Sequence, residues 1–281
     1  MGILGIDLGG TNVRAGLVED DNIIKIKSLP LKKNCSSEDV LEDIYSLINH
    51  YAADGILGIG VGVPSVVDVE KGIVYDVQNI PSWKEVPLRH LLKEKFNVPV
   101  YVNNDANCFA AGEKYFGKVK SYKNIVGLIL GTGLGAGIII NNKLYECRNC
   151  GAGEFGMIPY KNKNFEYFCS GHYFTDEFVT TGKDLFIRAK KGDAAAIEIF
   201  SMFGTNLGEV IKVIMYSYDP EVIVLGGSVS KAYEFFEPEM RKSISEFAYS
   251  NSIKNLKIEV SEIENISVLG AAALYYNDIG K

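Results

Sequence analysis

The sequence predicts an α/β protein, and three observations lead to this prediction. Three apolar clusters at residues 2–17, 56–69 and 125–140 are punctuated by glycine, as in strands joined by tight turns. Segments with apolar residues at helical spacing lie between these clusters and after them. The 281 residues are 47% hydrophobic and 23% charged, which supports a packed core and excludes wholesale disorder. Strands that alternate with helices are typical of the α/β class.

The N-terminal part of the chain predicts a hairpin, helices and further strands. In the first cluster an apolar run meets Gly9-Gly10 and a second alternating run follows, which predicts a β-hairpin. Residues 36–51 predict a helix that opens on a capping box of Ser36 and Asp39. The second cluster is a strand that ends at Pro64. A strand at 100–102 leads into a helix at 106–116.

The C-terminal part repeats the opening pattern. The third cluster again predicts strand, glycine turn and strand, so the sequence suggests a duplicated fold with one such hairpin in each half. Residues 194–218 predict two helices or a bend, because glycines interrupt them at 204 and 208. A strand at 222–225, a helix near 233–247, a strand at 256–260 and a helix at 268–275 complete the pattern.

Charge and cysteine content predict the environment. Lys and Arg number 29 against 35 Asp and Glu, and the net charge of −6 argues against a nucleic-acid partner. No run reaches the roughly 18 apolar residues of a membrane span, and the first residues lack the basic region of a signal peptide. The five scattered cysteines do not suggest a disulfide framework. We therefore expect a cytoplasmic protein with no membrane partner.

The two glycine turns are candidate phosphate sites. Each leads into a second strand, so neither fits the dinucleotide fingerprint, and the Gly-Lys-Ser/Thr end of a P-loop is missing. A turn of this kind still exposes backbone N–H groups and a hydroxyl that can hold a phosphate. Asp7 lies just before the first turn, where a buried carboxylate needs a cation. A magnesium ion, bound directly or through water, would meet that need.

Residues 103–107 form a second polar segment, Asn-Asn-Asp-Ala-Asn, between a strand and a helix. One interpretation is that Asp105 is only the N-cap of the helix. The other is that amides and a carboxylate at the carboxyl end of a strand bind a polyhydroxylated ligand, because open α/β sheets bind ligands there. The residues alone leave both open.

At this point the chain resembles the ROK family of sugar kinases, in the actin-like ATPase superfamily. Six motifs follow the family's order over essentially the whole chain. They are Asp7-Leu8-Gly9-Gly10-Thr11-Asn12, Gly62-Val63-Pro64-Ser65-Val66-Val67-Asp68, Asn103-Asn104-Asp105-Ala106-Asn107, Gly131-Thr132-Gly133-Leu134-Gly135, Gly153-Glu154-Phe155-Gly156 and Val224-Leu225-Gly226-Gly227.

The resemblance implies a two-domain actin-like ATPase fold with a duplicated core and an inter-domain cleft. We expect residues 1–106 and 267–281 to form a small α/β domain and residues 107–266 a large one. It also implies a homodimer that uses Mg-ATP to phosphorylate a hexose, with glucose at its 6-hydroxyl as the leading substrate. N-acetylmannosamine or N-acetylglucosamine is the alternative substrate, and a non-catalytic sugar-responsive regulator is the alternative function. The family's repressors carry a DNA-binding module ahead of the first hairpin, and because the hairpin begins within the first residues we expect this protein to have no such module.

The resemblance also assigns roles residue by residue. Asp105 matches the general base, and Asn104, Glu154 and Glu166 match ligands of the sugar hydroxyls. The nucleotide-binding matches are Gly9, Gly10, Thr11, Asn12, Gly131, Thr132, Gly133, Gly226 and Gly227.

Two departures from the family pattern concern zinc. Met157 stands where the family commonly has a histidine that contacts sugar and zinc, and the family's cysteine-rich run after it is missing. We therefore expect no zinc site. A competing interpretation is the zinc-like spacing of Cys147 and Cys150 with Cys169 and His172. Elsewhere, the single tryptophan, Trp83, is either a core residue or part of a cleft wall on which a sugar stacks.

Overall fold

A computed structural model of the chain describes residues 1–31, 36–77 and 80–279. The strands are β1 (Gly2–Leu8), β2 (Asn12–Glu19), β3 (Asn22–Pro30), β4 (Ile56–Val63), β5 (Val66–Asp68), β6 (Ile73–Tyr75), β7 (Glu85–Val86), β8 (Val100–Asn104), β9 (Ile125–Leu130), β10 (Leu134–Ile140), β11 (Lys143–Leu144), β12 (Pro159–Tyr160), β13 (Lys163–Asn164), β14 (Val222–Gly226) and β15 (Lys257–Val260). The helices are α1 (Ser37–His50), α2 (Leu88–Phe96), α3 (Asp105–Phe116), α4 (Phe165–Phe168), α5 (Gly171–Phe178), α6 (Gly182–Ala189), α7 (Ala194–Tyr218), α8 (Tyr233–Ile244), α9 (Ser250–Asn255) and α10 (Ile266–Ile279).

Two five-stranded sheets have matching orders. The first is β3-β2-β1-β4-β8, in which the β1–β2 and β2–β3 pairs are antiparallel and β4 and β8 continue in parallel. The second is β11-β10-β9-β14-β15, with an antiparallel β10–β11 pair and parallel β14 and β15. Each sheet thus has a glycine-turn hairpin followed by two parallel strands, which is the duplicated core of the actin-like ATPase fold. The predicted fold class is confirmed.

The chain divides into two compact units. Unit 1 comprises Met1–Ser121, Gly137–Ala152 and Ile263–Lys281, and unit 2 comprises Tyr122–Ala136 and Gly153–Glu262. Compactness assigns α3 to unit 1, because Gly112 of α3 packs against Gly270 of α10. The functional division expected between residues 106 and 107 stays a prediction.

Glycines decide how α10 lies on the first sheet. A Cβ on Gly5 would stand 2.0 Å from the Val268 carbonyl oxygen, and one on Gly60 would stand 1.8 Å from the Ala271 carbonyl oxygen. No larger residue is accommodated at such distances, so these strand glycines bring the helix backbone onto the sheet. The core of unit 1 includes Trp83, which is fully buried. The tryptophan is a core residue, and the alternative that it stacks on a sugar is wrong.

In unit 2, α7 is one continuous helix of 25 residues, not two. Its glycines serve close packing on α8 instead of breaking the helix. A Cβ on Gly204 would lie 2.2 Å from the Phe236 carbonyl oxygen, and one on Gly208 would lie 2.5 Å from Cβ of Ser243. By length and composition α7 could cross a membrane, but half of its most apolar stretch is buried within the structure, as in the core helix of a globular protein.

Candidate active site

The segment between β8 and α3 presents the predicted base and one predicted sugar ligand. Asn104 is the N-cap of α3, because its Oδ1 accepts the Ala106 N–H at 2.8 Å. Its Nδ2 donates to the Ser65 carbonyl at 3.2 Å, so the side chain is held from both ends. Asp105 is the first residue of the helix, and its Oδ1 also accepts the Ala106 N–H at 2.8 Å. The interpretation of Asp105 as the N-cap is therefore wrong, since Asn104 fills that position.

Asp7 lies at the end of β1 and is 8% exposed. Its Oδ2 accepts from Nη2 of Arg14 at 2.5 Å and from Oγ of Ser267 at 2.9 Å. Arg14 thus supplies the positive charge that a buried carboxylate requires, so a magnesium ion is not needed for neutralisation. Oδ1 accepts no hydrogen bond from the described residues, and it fits a water of a hydrated magnesium ion.

The first hairpin tip, between β1 and β2, is closed by one backbone hydrogen bond, from the Gly9 N–H to the Asn12 carbonyl at 2.9 Å. Gly10, Thr11 and Asn12 are exposed around it. The Asn12 amide donates to the Thr11 hydroxyl at 3.0 Å, so a side-chain dipole and backbone N–H groups share this tip. Such a turn can receive a phosphate oxygen.

The second hairpin tip, between β9 and β10, is closed in the same way, from the Gly131 N–H to the Gly133 carbonyl at 3.0 Å. The Gly131 carbonyl in turn accepts the N–H of Gly171, the first residue of α5, at 2.7 Å. The tip is therefore fixed to a helix, while Thr132 stays exposed.

A cavity of about 690 Å³ within unit 2 starts at this second tip. Its volume suits a nucleoside, and its wall combines apolar side chains with two lysines and the glycine tip. Gly226 and Gly227 do not line it. Gly227 has a φ of +87° and would place a Cβ 2.4 Å from the Leu130 carbonyl oxygen, so only glycine turns the chain here into the cavity wall. The wall comprises Gly131, Thr132, Gly171, His172, Thr175, Thr181, Gly182, Lys183, Phe186, Ile187, Phe200, Ser228, Val229, Lys231 and Ala232.

The carboxylates of Glu154 and Glu166, which are expected to bind sugar hydroxyls, repel each other electrostatically. Partial burial and the nearby Glu166 carboxylate raise the pKa of Glu154. Oε2 of Glu166 accepts the Leu134 N–H at 3.1 Å, directly after the second hairpin tip. A Cβ on Gly133 would lie only 2.6 Å from that oxygen, so a larger residue there would displace the Glu166 carboxylate. Unit 2 therefore places the Glu166 carboxylate beside the second hairpin tip, with Glu154 near enough to interact with it electrostatically.

The alternative zinc site finds no support. Within the described ranges, no three His, Cys, Asp or Glu side chains are grouped so that they could hold a metal ion. Burial raises the pKa of the Cys150 thiol to about 11 and that of the Cys169 thiol further, so both side chains are neutral thiols in the absence of a cation. Cys147 alone of the four described cysteines is exposed.

A family model described as "ROK family" matches residues 3–278. The chain belongs to the ROK family, so the resemblance stated above is confirmed.

Relatives of two kinds match almost the whole chain. The xylose repressor of Caldicellulosiruptor bescii is 30% identical over 99% of this chain and 78% of that protein. The glucokinase of Thermotoga maritima is 28% identical over 99% of this chain and 98% of that protein. Among solved structures, a ROK family glucokinase of Streptomyces griseus in complex with glucose and AMPPNP superposes with a TM-score of 0.80, at 25% identity over 98% of this chain and 99% of that one.

Proposed function

We propose that this protein is an ATP-dependent hexose kinase that transfers the γ-phosphoryl group of ATP to the 6-hydroxyl of glucose. The observation that carries the proposal is the placement of Asp105. Its carboxylate stands at the first turn of α3, beside an asparagine that already caps the helix. Asn104 fills the N-cap position, and a carboxylate beside it at the carboxyl end of a parallel strand has the chemistry of a general base.

Each predicted residue has a role in the reaction. The Asp105 carboxylate takes the proton of the 6-hydroxyl while that oxygen attacks the γ-phosphorus. The bond from this phosphorus to the β–γ bridging oxygen breaks, and ADP leaves with hexose 6-phosphate as the other product. Asn104 offers a fixed amide to the sugar, and Glu154 and Glu166 accept hydrogen bonds from its other hydroxyls. Phosphoryl transfer needs positioning and charge neutralisation more than covalent help, so this set suffices.

The nucleotide is assigned to the two hairpin tips and the cavity of unit 2. Backbone N–H groups at Gly9–Asn12 and Gly131–Gly133 are suited to phosphate oxygens, and the apolar cavity wall is suited to the adenosine. Magnesium, held through water by Oδ1 of Asp7, would neutralise charge on the phosphates. We further propose that the protein works in the cytoplasm as a homodimer.

A second candidate function is a sugar-responsive regulator without catalysis, which the identity with a xylose repressor favours. The two candidates differ in turnover. A regulator binds a sugar and forms no ADP, whereas a kinase forms ADP in proportion to the sugar consumed.

A coupled spectrophotometric assay of ADP release tests the proposal. Glucose, N-acetylmannosamine, N-acetylglucosamine and xylose are supplied in turn with Mg-ATP, and direct sugar binding is measured by calorimetry on the same preparation. We expect turnover with glucose to exceed that with the other sugars. Preferred turnover of an acetamido sugar would correct the substrate. Sugar binding with no ADP from any sugar would replace the kinase by the regulator.

A further inference from the structure

Asn103 has no role in the reaction proposed above, yet it has the densest set of polar contacts near Asp105. It lies on β8, one residue before the cap of α3, and only 1% of it is exposed. Its Oδ1 accepts the Asn104 N–H at 2.8 Å and the Asn107 Nδ2 at 2.9 Å. The Cys150 thiol donates to the same oxygen at 3.0 Å.

The other end of this amide meets an acceptor. Nδ2 of Asn103 donates to Oε1 of Glu146 at 2.9 Å. An amide turned by 180° would place its NH₂ against three donors and its oxygen against a carboxylate, so only one orientation satisfies both ends. Glu146 and the three donors therefore determine together which atom of Asn103 faces Asn104.

Glu146 lies in a different part of unit 1 from Asp105, the proposed base. It lines a cavity of about 510 Å³ together with Arg89 of α2, Tyr101 of β8 and Asp278 of α10. Burial raises the pKa of Glu146, and the Asp278 carboxylate adds to this, while the Asn103 hydrogen bond and the Arg89 charge oppose it. The Cys150 and Cys108 thiols also interact electrostatically with this glutamate, and Glu70, Lys93 and Cys147 line the same cavity. The hydrogen bond from Asn103 to Glu146 is therefore partly shielded from water, and leaving either polar group without a partner there would lower the stability of the fold.

We infer that Asn103 is a positioning residue, oriented by Glu146, that holds the Asn104 backbone and with it Asp105 in the geometry that sugar phosphorylation requires. The inference rests on the proposed function for its kinetic readout. Positioning of this kind is energetically valuable because a displacement of about 1 Å at the reacting groups can cost about 100-fold in rate.

Swapping the amide of residue 103 and the carboxylate of residue 146 tests the inference. Asn103→Asp keeps Oδ1 for its three donors but sets a second carboxylate against Glu146. Glu146→Gln alone keeps an acceptor for Nδ2 of Asn103. The double variant, Asn103→Asp with Glu146→Gln, restores a hydrogen bond with its direction reversed. Asn251→Asp, at an exposed residue of α9, is the control for an added charge.

We expect Asn103→Asp to lower kcat and raise the KM for sugar, with a loss of about 10- to 100-fold in kcat/KM and an unchanged KM for ATP. Glu146→Gln, the double variant and Asn251→Asp should stay within about threefold of the wild type. The activity of Asn103→Asp relative to the wild type should recover as the pH falls, because a proton shared by the two carboxylates replaces the lost donor. The double variant has no such carboxylate pair, and its relative activity should not change with pH.

Hydrogen–deuterium exchange of residues 104–107 separates this inference from the proposed function. It should rise in Asn103→Asp and return to the wild-type rate in the double variant, whether or not the wild type phosphorylates a sugar. Unchanged exchange and kinetics in Asn103→Asp, or a double variant as impaired as the single one, would overturn the inference. Should Asn103→Asp not fold, the double variant decides alone: activity within threefold of the wild type supports coupling, and a larger loss refutes it.

Discussion

Replacement of Asp105 by asparagine separates its chemical role from any structural one. The side chain keeps its size and an oxygen for the Ala106 N–H, which now lies 2.8 Å from Oδ1. The amide nitrogen then takes the place of the second carboxylate oxygen. An amide does not accept a proton at neutral pH, so the 6-hydroxyl loses its base. Turnover should fall by about 10²–10⁴-fold, or about 2.7–5.5 kcal/mol in the barrier.

The stability of Asp105→Asn should change little, for a reason visible in the structure. Asn104 provides the cap of α3, and the variant leaves it in place. The remaining cost is the loss of a negative charge in the first turn, about 0.3–1 kcal/mol, which corresponds to about 1–4 °C in Tm. Asn104→Ala is the matched comparison. It removes the cap and the hydrogen bond to the Ser65 carbonyl, and should cost about 2 kcal/mol and weaken sugar binding.

Three measurements on one preparation test this reasoning: steady-state ADP release, sugar affinity by calorimetry and Tm by scanning calorimetry. The expected Asp105→Asn protein is folded, binds sugar within a few-fold of the wild type and scarcely turns over. Turnover close to that of the wild type would remove Asp105 as the base. A large fall in Tm would instead show that its charge is structural.

Four further outcomes follow from packing, charge and composition. Gly204→Ala should lower the free energy of unfolding by more than about 2 kcal/mol, because its Cβ would stand 2.2 Å from the Phe236 carbonyl oxygen. Gly151→Ala, where no atom lies within 4 Å of the new Cβ, should be nearly neutral in the same urea titration. Ile187→Trp should narrow the cavity of unit 2 and raise the Kd for a fluorescent ATP analogue by about 10-fold or more, with sugar affinity unchanged; equal nucleotide affinity would place the nucleotide elsewhere. Since burial raises the pKa of Glu154, the folded protein holds that proton to higher pH than the unfolded chain, and its ionisation lowers stability as pH rises. Glu154→Gln should therefore raise Tm near neutral pH and leave it unchanged below about pH 4, and the reverse order would contradict the pKa direction. Elemental analysis should find no stoichiometric zinc, and chelation should leave Tm unchanged; unfolding on zinc removal would restore a metal site to the protein.

Eight of the ten strands in the two five-stranded sheets and the helices α1, α3, α8 and α10 were predicted, because their signals are local. The strand β3, the short strands and the helices α4, α5, α6 and α9 were not predicted. Apolar runs that stop at Gly9-Gly10 or at Gly131 and then resume predict a hairpin, and the structure has a hairpin at both places. The capping box of Ser36 and Asp39 lies within one turn of chain, and both of its hydrogen bonds are present. The helix α7 was predicted with an interruption that it does not have, because sequence periodicity does not distinguish a glycine that breaks a helix from one that lets a neighbouring helix approach.

The sequence by itself determined the family, the order of the main strands and helices and the candidate residues, because six motifs in a fixed order are a property of the chain alone. Only the tertiary structure decided which hydrogen-bonding or charged group is the partner of which. It assigned the cap of α3 to Asn104, the counter-charge of Asp7 to Arg14 and the orientation of Asn103 to Glu146. The last two pairs lie 7 and 43 residues apart in the chain, and the amide pair joins a strand to a distant loop. Hydrogen bonds form between groups within about 3 Å in space. The number of residues between two groups does not determine the distance between them in space, which is set by the packing of the folded chain.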